Sequence, residues 1–329
     1  MLYAIQGTGN GHIARAREII PILQKKTDLD ILISGTQADI KLPFEVKYKL
    51  HGLSFSFGKA GGIDFWNSAR NLALFAFFRD VKNLPVGNYD LVLNDFEPVT
   101  ARACTNKKVP VVSMSHQAAV LHENAPRPDK GDWLGEFILK NYAPADTSYG
   151  FHFAAYGDRI FTPVIRSEIR NQVVRNLDYY IVYLPAYSDK KIIEGLIRFR
   201  DAKWIVFSKH TKISYEFANV RVFPVSNELF IRYMADCQGV LCGAGFETPA
   251  EVLFMGKKLL VIPMKDQFEQ QCNAAALKSM GVNVAPNLQV AYDTHIHEWL
   301  QTDSAIQVNY PEQTERIIDR VLNDFQSRS

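Results

Sequence analysis

The chain has 329 residues, of which 47% are hydrophobic and 22% are charged. A chain of this length usually forms about two domains, and the average composition excludes collagen, a coiled coil and a disordered chain. The 37 Lys and Arg residues nearly balance the 35 Asp and Glu residues, whereas nucleic-acid-binding domains carry a marked excess of basic residues. We therefore expect no nucleic-acid partner.

The cysteines and the N-terminal sequence indicate where the protein resides. Cys104, Cys237, Cys242 and Cys272 are too few for a disulfide scaffold and lack the spacing of a metal site, so we expect buried thiols in a reducing cytoplasm. The N-terminus lacks the basic and apolar regions of a secretory signal, and the longest apolar stretch, 72–78, is too short to span a bilayer. We expect a cytoplasmic protein that is not integral to a membrane.

In the first half of the chain, short apolar segments alternate with segments of helical period. Strands are predicted at 2–6, 29–34, 89–95 and 109–116, with helices over 14–24 and from Glu97 and Pro98 onward. Such alternation is typical of a parallel sheet covered by helices. Residues 1–162 are therefore predicted to form one Rossmann-like α/β domain. Within it, residues 122–150 are rich in Pro, Asp, Gly and Tyr and predict a long, irregular excursion.

The alternation begins again in the second half. Strands are predicted at 179–186, 203–209, 220–225, 239–243 and 258–264, and helices over 188–199, 226–236, 247–255 and 266–280. Residues 163–310 are therefore predicted to form a second Rossmann-like domain. Residues 311–329 are predicted to contain a terminal helix that could pack back on the first domain.

A glycine-rich turn follows the first predicted strand, at 7–12. Glycines at a strand-to-helix turn let backbone N–H groups approach a ligand. The Gly-x-Gly-x-Gly spacing departs from the dinucleotide fingerprint, which disfavours a nicotinamide enzyme. His12 enters the helix at the carboxyl edge of the sheet, where a histidine is a natural general base. A helix-capping or solvated histidine is the alternative.

A second cluster of polar residues lies at 243–273. A glycine turn again opens a helix, which favours an anion such as a diphosphate. Glu247 and Glu251 lie one helical turn apart, and a carboxylate at Glu251 could accept hydrogen bonds from ribose hydroxyls. Gln270 and Asn273 share a helix face and could bind sugar hydroxyls. Solvated helix positions are the alternative for each residue alone, but together they favour a binding site.

Three segments resemble one family of enzymes. Residues 7–12 (GTGNGH), residues 162–169 (TPVIRSEI), and residues 243–256 together with Asp266, Gln270 and Asn273 resemble motifs of GT-B glycosyltransferases. The resemblance is to family 28 and the peptidoglycan N-acetylglucosaminyltransferases of lipid II synthesis, and it covers nearly the whole chain. It implies two Rossmann-like parallel-sheet domains that face a cleft.

The resemblance also implies roles for individual residues. Glu251 would hold the ribose of the nucleotide, and Gln270 with Asn273 would hold the donor sugar. Arg166 would lie in the cleft. The diphosphate would bind the turn formed by Gly243, Ala244, Gly245, Phe246, Glu247 and Thr248. The segment Leu184–Ser188 departs from the expected glycine-serine loop, which leaves the choice of donor open.

The implied activity is transfer of a hexose or N-acetylhexosamine from a UDP-sugar to an acceptor hydroxyl. Charge on the leaving diphosphate would be stabilised by helix N-termini, backbone N–H groups and Arg166, so we expect neither a metal nor a cofactor. His12 as the base would give an inverting displacement. Asp95 is the rival base, or it orients His12 or caps a helix. The acceptor side would include Gly9, Asn10, Gly11 and His116.

The acceptor itself is not specified by the sequence. A lipid-linked acceptor or a cell-envelope glycan would place the enzyme at the inner face of the membrane. The segment 64–82 places Phe65, Leu72, Phe75 and Phe78 on one helical face. Such a stripe usually belongs to the core, and a patch that touches the bilayer is the alternative.

Two other classes of function remain open. A nucleotide-sugar 2-epimerase shares the two-lobed fold, but it needs several titratable groups around the sugar, and the second-domain cluster has no histidine. A non-catalytic nucleotide-sugar sensor would use Glu251 and would have no need of His12. Product analysis with a panel of nucleotide sugars separates the three functions.

Overall fold

A computed structural model describes residues 1–35, 42–52, 69–302 and 305–327, with only the backbone for 69–73. The described chain forms two α/β lobes, each built on a sheet of mostly parallel strands with helices on its faces. This confirms the predicted two-lobed, Rossmann-like architecture. None of the described helices has the length and apolar character needed to cross a membrane.

The first lobe contains the elements up to residue 161. In chain order they are β1 (Leu2–Gln6), α1 (Asn10–Lys26), β2 (Asp30–Ser34), β3 (Tyr48–Leu50), α2 (Ala69–Asn83), β4 (Val92–Asp95), α3 (Pro98–Lys107), β5 (Val111–Ser115), α4 (His116–Val120), α5 (Trp133–Tyr142), β6 (Thr147–Phe151) and β7 (Ile160–Phe161). Within the described residues, the sheet order is β3-β2-β1-β4-β5-β6-β7, and all neighbours are parallel.

The second lobe follows a short helix, α6 (Ser167–Arg170). Its elements are β8 (Tyr180–Tyr183), α7 (Asp189–Leu196), β9 (Trp204–Ser208), β10 (Tyr215–Phe217), β11 (Val220–Pro224), α8 (Asn227–Asp236), β12 (Gly239–Gly243), α9 (Glu247–Phe254), β13 (Lys258–Ile262), α10 (Phe268–Ser279), β14 (Asn283–Val284) and α11 (Asp293–Gln301). The described strands run in the order β10-β11-β9-β8-β12-β13-β14, and β10 is antiparallel to β11.

The strand order determines where a ligand can bind. In the first sheet, β2 and β3 lie on one side of β1, whereas β4 and the strands after it lie on the other side. The order in which strands are added to the sheet therefore reverses between β1 and β4. In the second sheet the same reversal lies between β8 and β12. Ligands of open α/β sheets bind outside the carboxyl ends of the strands at such reversal points. Each lobe therefore offers one crevice.

The terminal helix α12 (Thr314–Gln326) lies against the first lobe. Lys26 of α1 forms ion pairs with Glu315 at 3.0 Å and with Asp319 at 2.8 Å. Ile317, Ile318 and Val321 are buried, and the hydroxyl of Tyr149 in β6 donates a hydrogen bond to Asp324. The helix thus returns from the second lobe to cover α1.

Two sequence predictions differ from the structure. The sequence predicts an irregular segment at 122–150, but the structure has α5 and most of β6 there. Elements of ten and five residues are too short for a clear period to stand out from the flanking Pro, Asp and Gly residues. The core interpretation of the stripe on 64–82 is also wrong where the residues are described. Phe77 and Val81 are buried, whereas Phe75 and Phe78 are 73% and 65% exposed. Residues 64–68, and the side chain of Leu72, lie outside the described parts.

Candidate active site

His12 and Asp95 lie together at the carboxyl ends of strands β1 and β4. His12 lies in the first turn of α1, directly after the glycine-rich turn, and Asp95 is the last residue of β4. Nδ1 of His12 lies 2.9 Å from Oδ1 of Asp95. A carboxylate oxygen only accepts, so the Asp95 contact places the proton of the neutral His12 ring on Nδ1 and leaves Nε2 able to accept a proton. Nη2 of Arg15 lies 3.1 Å from the same Nδ1, but it is closer to both oxygens of Asp95. The side chain of His12 is 14% exposed and that of Asp95 is buried.

Arg15 completes this group. Its Nη2 lies 2.7 Å from Oδ1 and 2.8 Å from Oδ2 of Asp95, and its Nε lies 3.1 Å from Oδ2. Burial alone would raise the pKa of Asp95, but the positive charge of Arg15, with help from His12, outweighs burial and lowers that pKa below its ordinary value. Asp95 is therefore a stable carboxylate that orients His12.

Arg15 also reaches across the cleft. Its Nη1 donates a hydrogen bond to Glu247, the first residue of α9 in the second lobe. Burial raises the pKa of Glu247 to about 7, and the charge of Arg15 opposes this rise. Gly11 lies close to the same side chain, because a Cβ at this position would come within 2.8 Å of Cγ of Glu247. The two glycine turns thus meet at Glu247.

A cavity of about 310 Å³ opens beside this contact and is lined by both lobes. The first lobe contributes Asn10, Gly11, Ala14 and Arg17. The second lobe and the connection contribute Arg166, Tyr183, Phe207, Val225, Ser226, Asn227, Phe230, Glu247, Thr248 and Glu251. The cavity combines an aromatic wall with a cluster of charged and amide groups, a mixture that is common in sites for small molecules.

The predicted residues Arg166 and Glu251 are paired in this cavity. Nε of Arg166 lies 2.6 Å from Oε1 of Glu251, and Nη2 lies 2.9 Å from Oε2. Arg166 also donates to Oδ1 of Asn227 at 2.9 Å. Both charged side chains are buried. Arg166, in the segment that joins the lobes, therefore holds Glu251 in place. Each carboxylate oxygen of Glu251 keeps a second lone pair for another hydrogen bond.

The other two residues predicted to bind the donor sugar, Gln270 and Asn273, lie outside this cavity lining. Gln270 lies beside the glycine turn, where its Oε1 accepts from the backbone N–H of Met264 at 2.9 Å. Asn273 is buried, and both ends of its amide are engaged: Nδ2 donates to the carbonyl of Ala244 at 3.1 Å, and Oδ1 faces Nε2 of His116 at 2.8 Å. Asn273 thus joins the lobes.

His116 forms part of the same contact between the lobes. Its ring stacks on Phe246 with a centroid distance of 3.9 Å, and its Nδ1 lies 2.8 Å from the carbonyl of Phe151. Burial lowers the pKa of His116 to about 3. The neutral ring holds one proton and can donate to only one of its two oxygen neighbours. Next to it, Nε2 of Gln117 donates to Glu269 at 3.0 Å, and burial raises the pKa of Glu269.

The glycine turns leave room on their outer sides. A Cβ at Gly9 or at Gly245 would have no atom within 4 Å. Gly243 has only Gln270 and a strand carbonyl at ordinary contact distance. Open space at these turns is suited to a ligand that approaches the backbone closely.

Several residues of the site were not predicted from the sequence. Arg15 lies three residues after His12, and this spacing on a helix was the available signal. Tyr183 ends β8, Phe207 lies in β9, and Asn227 and Phe230 lie on α8. Only the assembled fold shows that these four residues share a cavity.

The chain contains one Asp-x-Asp pair, Asp28 and Asp30, a pattern that could hold a metal ion. Asp30 begins β2, at the edge of the sheet opposite the cleft, and its carboxylate binds Lys47 at 2.5 Å and Tyr89 at 2.7 Å. Among the described residues, no three His, Cys, Asp or Glu side chains are grouped to hold a metal ion.

Known structures share the fold over nearly the full chain. A UDP-N-acetylglucosamine 2-epimerase aligns with a TM-score of 0.58 at 13% identity, over 99% of this chain and 97% of that one. MurG of Acinetobacter baumannii aligns with a TM-score of 0.57 at 14% identity, over 98% and 99%. The glycotransferase of kitacinnamycin aligns with a TM-score of 0.54 at 12% identity, over 99% and 94%. At these identities the likeness shows the fold.

The family follows from the sequence. No curated protein matches the chain at a significant level, but the sequence model of glycosyl transferase family 1 matches residues 1–302. This match covers most of the 329 residues, and it agrees with the GT-B architecture of the structural neighbours. The chain therefore belongs to glycosyl transferase family 1 and is a glycosyltransferase with the GT-B fold.

Proposed function

We propose that the protein is an inverting, metal-independent glycosyltransferase that moves a hexose or N-acetylhexosamine from a UDP-sugar to an acceptor hydroxyl. The observation that carries this proposal is the 2.9 Å contact between His12 and Asp95, next to a cavity lined by both lobes. Transfer to a hydroxyl requires a base on the acceptor side and a pocket for the donor on the other side, and this arrangement supplies both.

The donor nucleotide would occupy the cavity of about 310 Å³. Glu251 would accept hydrogen bonds from the ribose hydroxyls through the lone pairs that Arg166 leaves free. The rings of Tyr183, Phe207 and Phe230 would pack on the base. The cavity volume lies at the lower end of the range of small-molecule pockets, which suits the nucleoside part of the donor.

The diphosphate would lie at the turn after β12. Gly245 leaves open space there, and Glu247 and Thr248 begin α9, whose N-terminus favours negative charge. Arg166 would supply a fixed positive charge. Gln270, which contacts the same turn, would bind the donor sugar, and Asn273 would act by holding His116 against Phe246.

The chemical step would be a single displacement. Nε2 of His12 takes the proton of the acceptor hydroxyl, and the acceptor oxygen forms a bond to the anomeric carbon. The bond from that carbon to the diphosphate breaks, and its electron pair leaves with UDP. Attack opposite the leaving group inverts the anomeric carbon. Asp95 stabilises the imidazolium that forms, and Arg15 holds Asp95 in position.

A panel of UDP-sugars tests this proposal. Incubation with each donor and a mixture of glycoside acceptors should release UDP from at least one donor and give a glycosylated product. The coupling constant of the new anomeric proton in NMR should report the configuration opposite to that of the donor. A product with retained configuration would overturn the inverting mechanism, and absence of UDP from every donor would overturn the proposed donor.

A nucleotide-sugar 2-epimerase is the second candidate. The second-lobe cluster has no histidine of its own, but the assembled cleft places His116 of the first lobe 4.0 Å from Glu269, and Arg15, which also binds the Asp95 partner of His12, pairs with Glu247. Such a set of titratable groups, together with the epimerase fold neighbour, favours this candidate over other isomerases. It predicts a new UDP-sugar without UDP as the first product, whereas a non-catalytic sensor would give thermal stabilisation alone.

We further propose that the acceptor is lipid-linked or part of a cell-envelope glycan that the enzyme meets at a membrane surface. Phe75 and Phe78 on α2 are exposed, and exposed aromatic side chains on one helix suit contact with the interface of a bilayer. Arg79 beside them pairs with Asp80 at 3.2 Å. Co-sedimentation with phosphatidylglycerol vesicles should decrease for the double variant Phe75→Ser and Phe78→Ser. Equal co-sedimentation of this variant and the unmodified protein would contradict the proposed contact of α2 with a membrane.

A further inference from the structure

The turn between β4 and α3 holds a phenylalanine in an unusual conformation. Phe96 has φ of +57°, in the left-handed region that residues other than Gly, Asn and Asp rarely adopt. Such strain persists only where the surrounding structure enforces it, and it is concentrated at functional sites. Phe96 lies between Asp95, which contacts His12, and Glu97, which caps α3.

Buried hydrogen bonds enforce this turn. The side chain of Asn94 accepts from the backbone N–H of Glu97 at 2.9 Å and donates to its carbonyl at 2.8 Å. The carboxylate of Glu97 accepts from the N–H groups of Val99 at 2.8 Å and Thr100 at 2.6 Å. Both neighbours of Phe96 are therefore fixed, and the direction of its side chain is determined by the turn.

The ring of Phe96 lies beside the candidate base. It is half-buried, nearly parallel to the His12 ring at an interplanar angle of 8°, and the two centroids are 6.4 Å apart. On another side it contacts Tyr142, with centroids 4.8 Å apart. The Tyr142 hydroxyl accepts a hydrogen bond at 2.9 Å from Gln6, which also donates to Thr8 at 3.0 Å. Phe96 thus contacts His12 and Tyr142, and Tyr142 is in turn hydrogen-bonded to the buried side chain of Gln6.

This combination has a specific use. The face of an aromatic ring carries partial negative charge and attracts the C–H groups of a flat partner. A pyranose presents C–H groups on its faces and hydroxyls at its rim, which matches a half-buried phenyl ring beside the polar ring of His12. We propose that Phe96 is a specificity-determining residue, the platform on which the ring of a pyranose acceptor stacks while one of its hydroxyls meets His12. This inference rests on the proposed glycosyl transfer.

The test compares acceptor kinetics of the unmodified protein with those of Phe96→Asn. Asn tolerates the left-handed backbone, so the melting temperature should stay within about 3 °C, because relief of strain offsets the lost ring contacts. With methyl glucopyranoside and methyl galactopyranoside as acceptors, KM should rise about 3- to 10-fold at little change in kcat. With glycerol, an acyclic acceptor, KM should not change.

Two further variants separate stacking from a structural role. Phe96→Tyr keeps the aromatic face and should restore the pyranoside KM to within about twofold of the original value. Lys108→Asn is the matched control, because Lys108 also has a left-handed backbone, with φ of +54°, at the other end of α3. It should leave the pyranoside KM unchanged.

The outcomes of the inference and of the proposed function are distinct. An unchanged pyranoside KM in Phe96→Asn would overturn the proposal that a pyranose acceptor stacks on Phe96. An equal rise of the glycerol KM would overturn it as well. An enzyme that transfers to glycerol and to no pyranoside also overturns it and leaves the proposed function standing. Absence of UDP release from every UDP-sugar overturns the proposed function itself.

Discussion

Arg15 in the first lobe forms an ion pair with Glu247 in the second lobe, and the same guanidinium binds Asp95. One buried cation thus holds the partner of the candidate base and also joins the lobes beside the cavity that both lobes line. The geometry of His12 and the closure of the cleft are therefore coupled through Arg15.

Replacement of Arg15 tests this coupling. Arg15→Met leaves the buried Asp95 and the half-buried Glu247 without their cation, and loss of one partner of a buried ion pair usually costs about 3–5 kcal/mol. Urea unfolding should show a loss of this size, with a large fall in the transfer rate because His12 loses its orientation. Arg17→Met is the control for stability. Its partner Glu168 is partly exposed, so the loss should be about 0–1 kcal/mol. Equal losses in both variants would contradict the coupling.

The raised pKa of Glu247 predicts a pH dependence of stability. In the unfolded chain Glu247 ionises near 4.5, whereas in the folded protein it ionises near 7. Between these values the folded state binds more protons, so this residue makes the protein less stable as the pH rises. Glu247→Gln removes this dependence. The free energy of unfolding of the original protein minus that of the variant should decrease from pH 5 to pH 8.

Chemical denaturation at several pH values measures this difference. A difference that increases with pH would mean that the charge of Arg15 outweighs burial at Glu247, and it would contradict the assigned direction of the shift.

Glu251 gives a prediction on donor binding. If its carboxylate binds the ribose, Glu251→Gln should weaken free UDP and the UDP-sugar alike, because the ribose contact does not depend on the sugar. The lost charged hydrogen bonds correspond to about a ten- to hundredfold lower affinity in calorimetry. Glu168→Gln is the matched control, since Glu168 also contacts Arg166, at 3.5 Å. Unchanged UDP affinity in folded Glu251→Gln would remove Glu251 from the donor site.

The sequence predicted best those parts of the site that depend on a short local pattern. The glycine turn before α1 and the strand ending in Asp95 were recognisable, and the parallel topology then places His12 and Asp95 at one edge. The pairing of Arg166 with Glu251 was not predicted, although both residues were chosen, because 85 positions separate them and only the folded connection brings them together.

Other features depend on the tertiary fold. In the sequence, Arg15 is indistinguishable from an ordinary exposed helix residue. Only the packing of the two lobes shows that it is buried. On α2 the sequence favoured the face with Phe75 and Phe78, whereas the sheet buries Phe77 and Val81. Because residues 72–78 of α2 are all apolar, the period in this segment cannot show which face is buried.

The most direct test of the proposed mechanism is the rate of UDP release and product formation by His12→Ala. Removal of a general base should lower the transfer rate about 10²- to 10⁴-fold, while calorimetry shows unchanged UDP affinity, because His12 lies in the first lobe and acts on the acceptor. His122→Ala, a histidine of the same lobe that contacts Asn124, should keep the original rate. A His12→Ala rate above about a tenth of the original would leave less than about 1.4 kcal/mol of barrier to His12 and would contradict its role as the base.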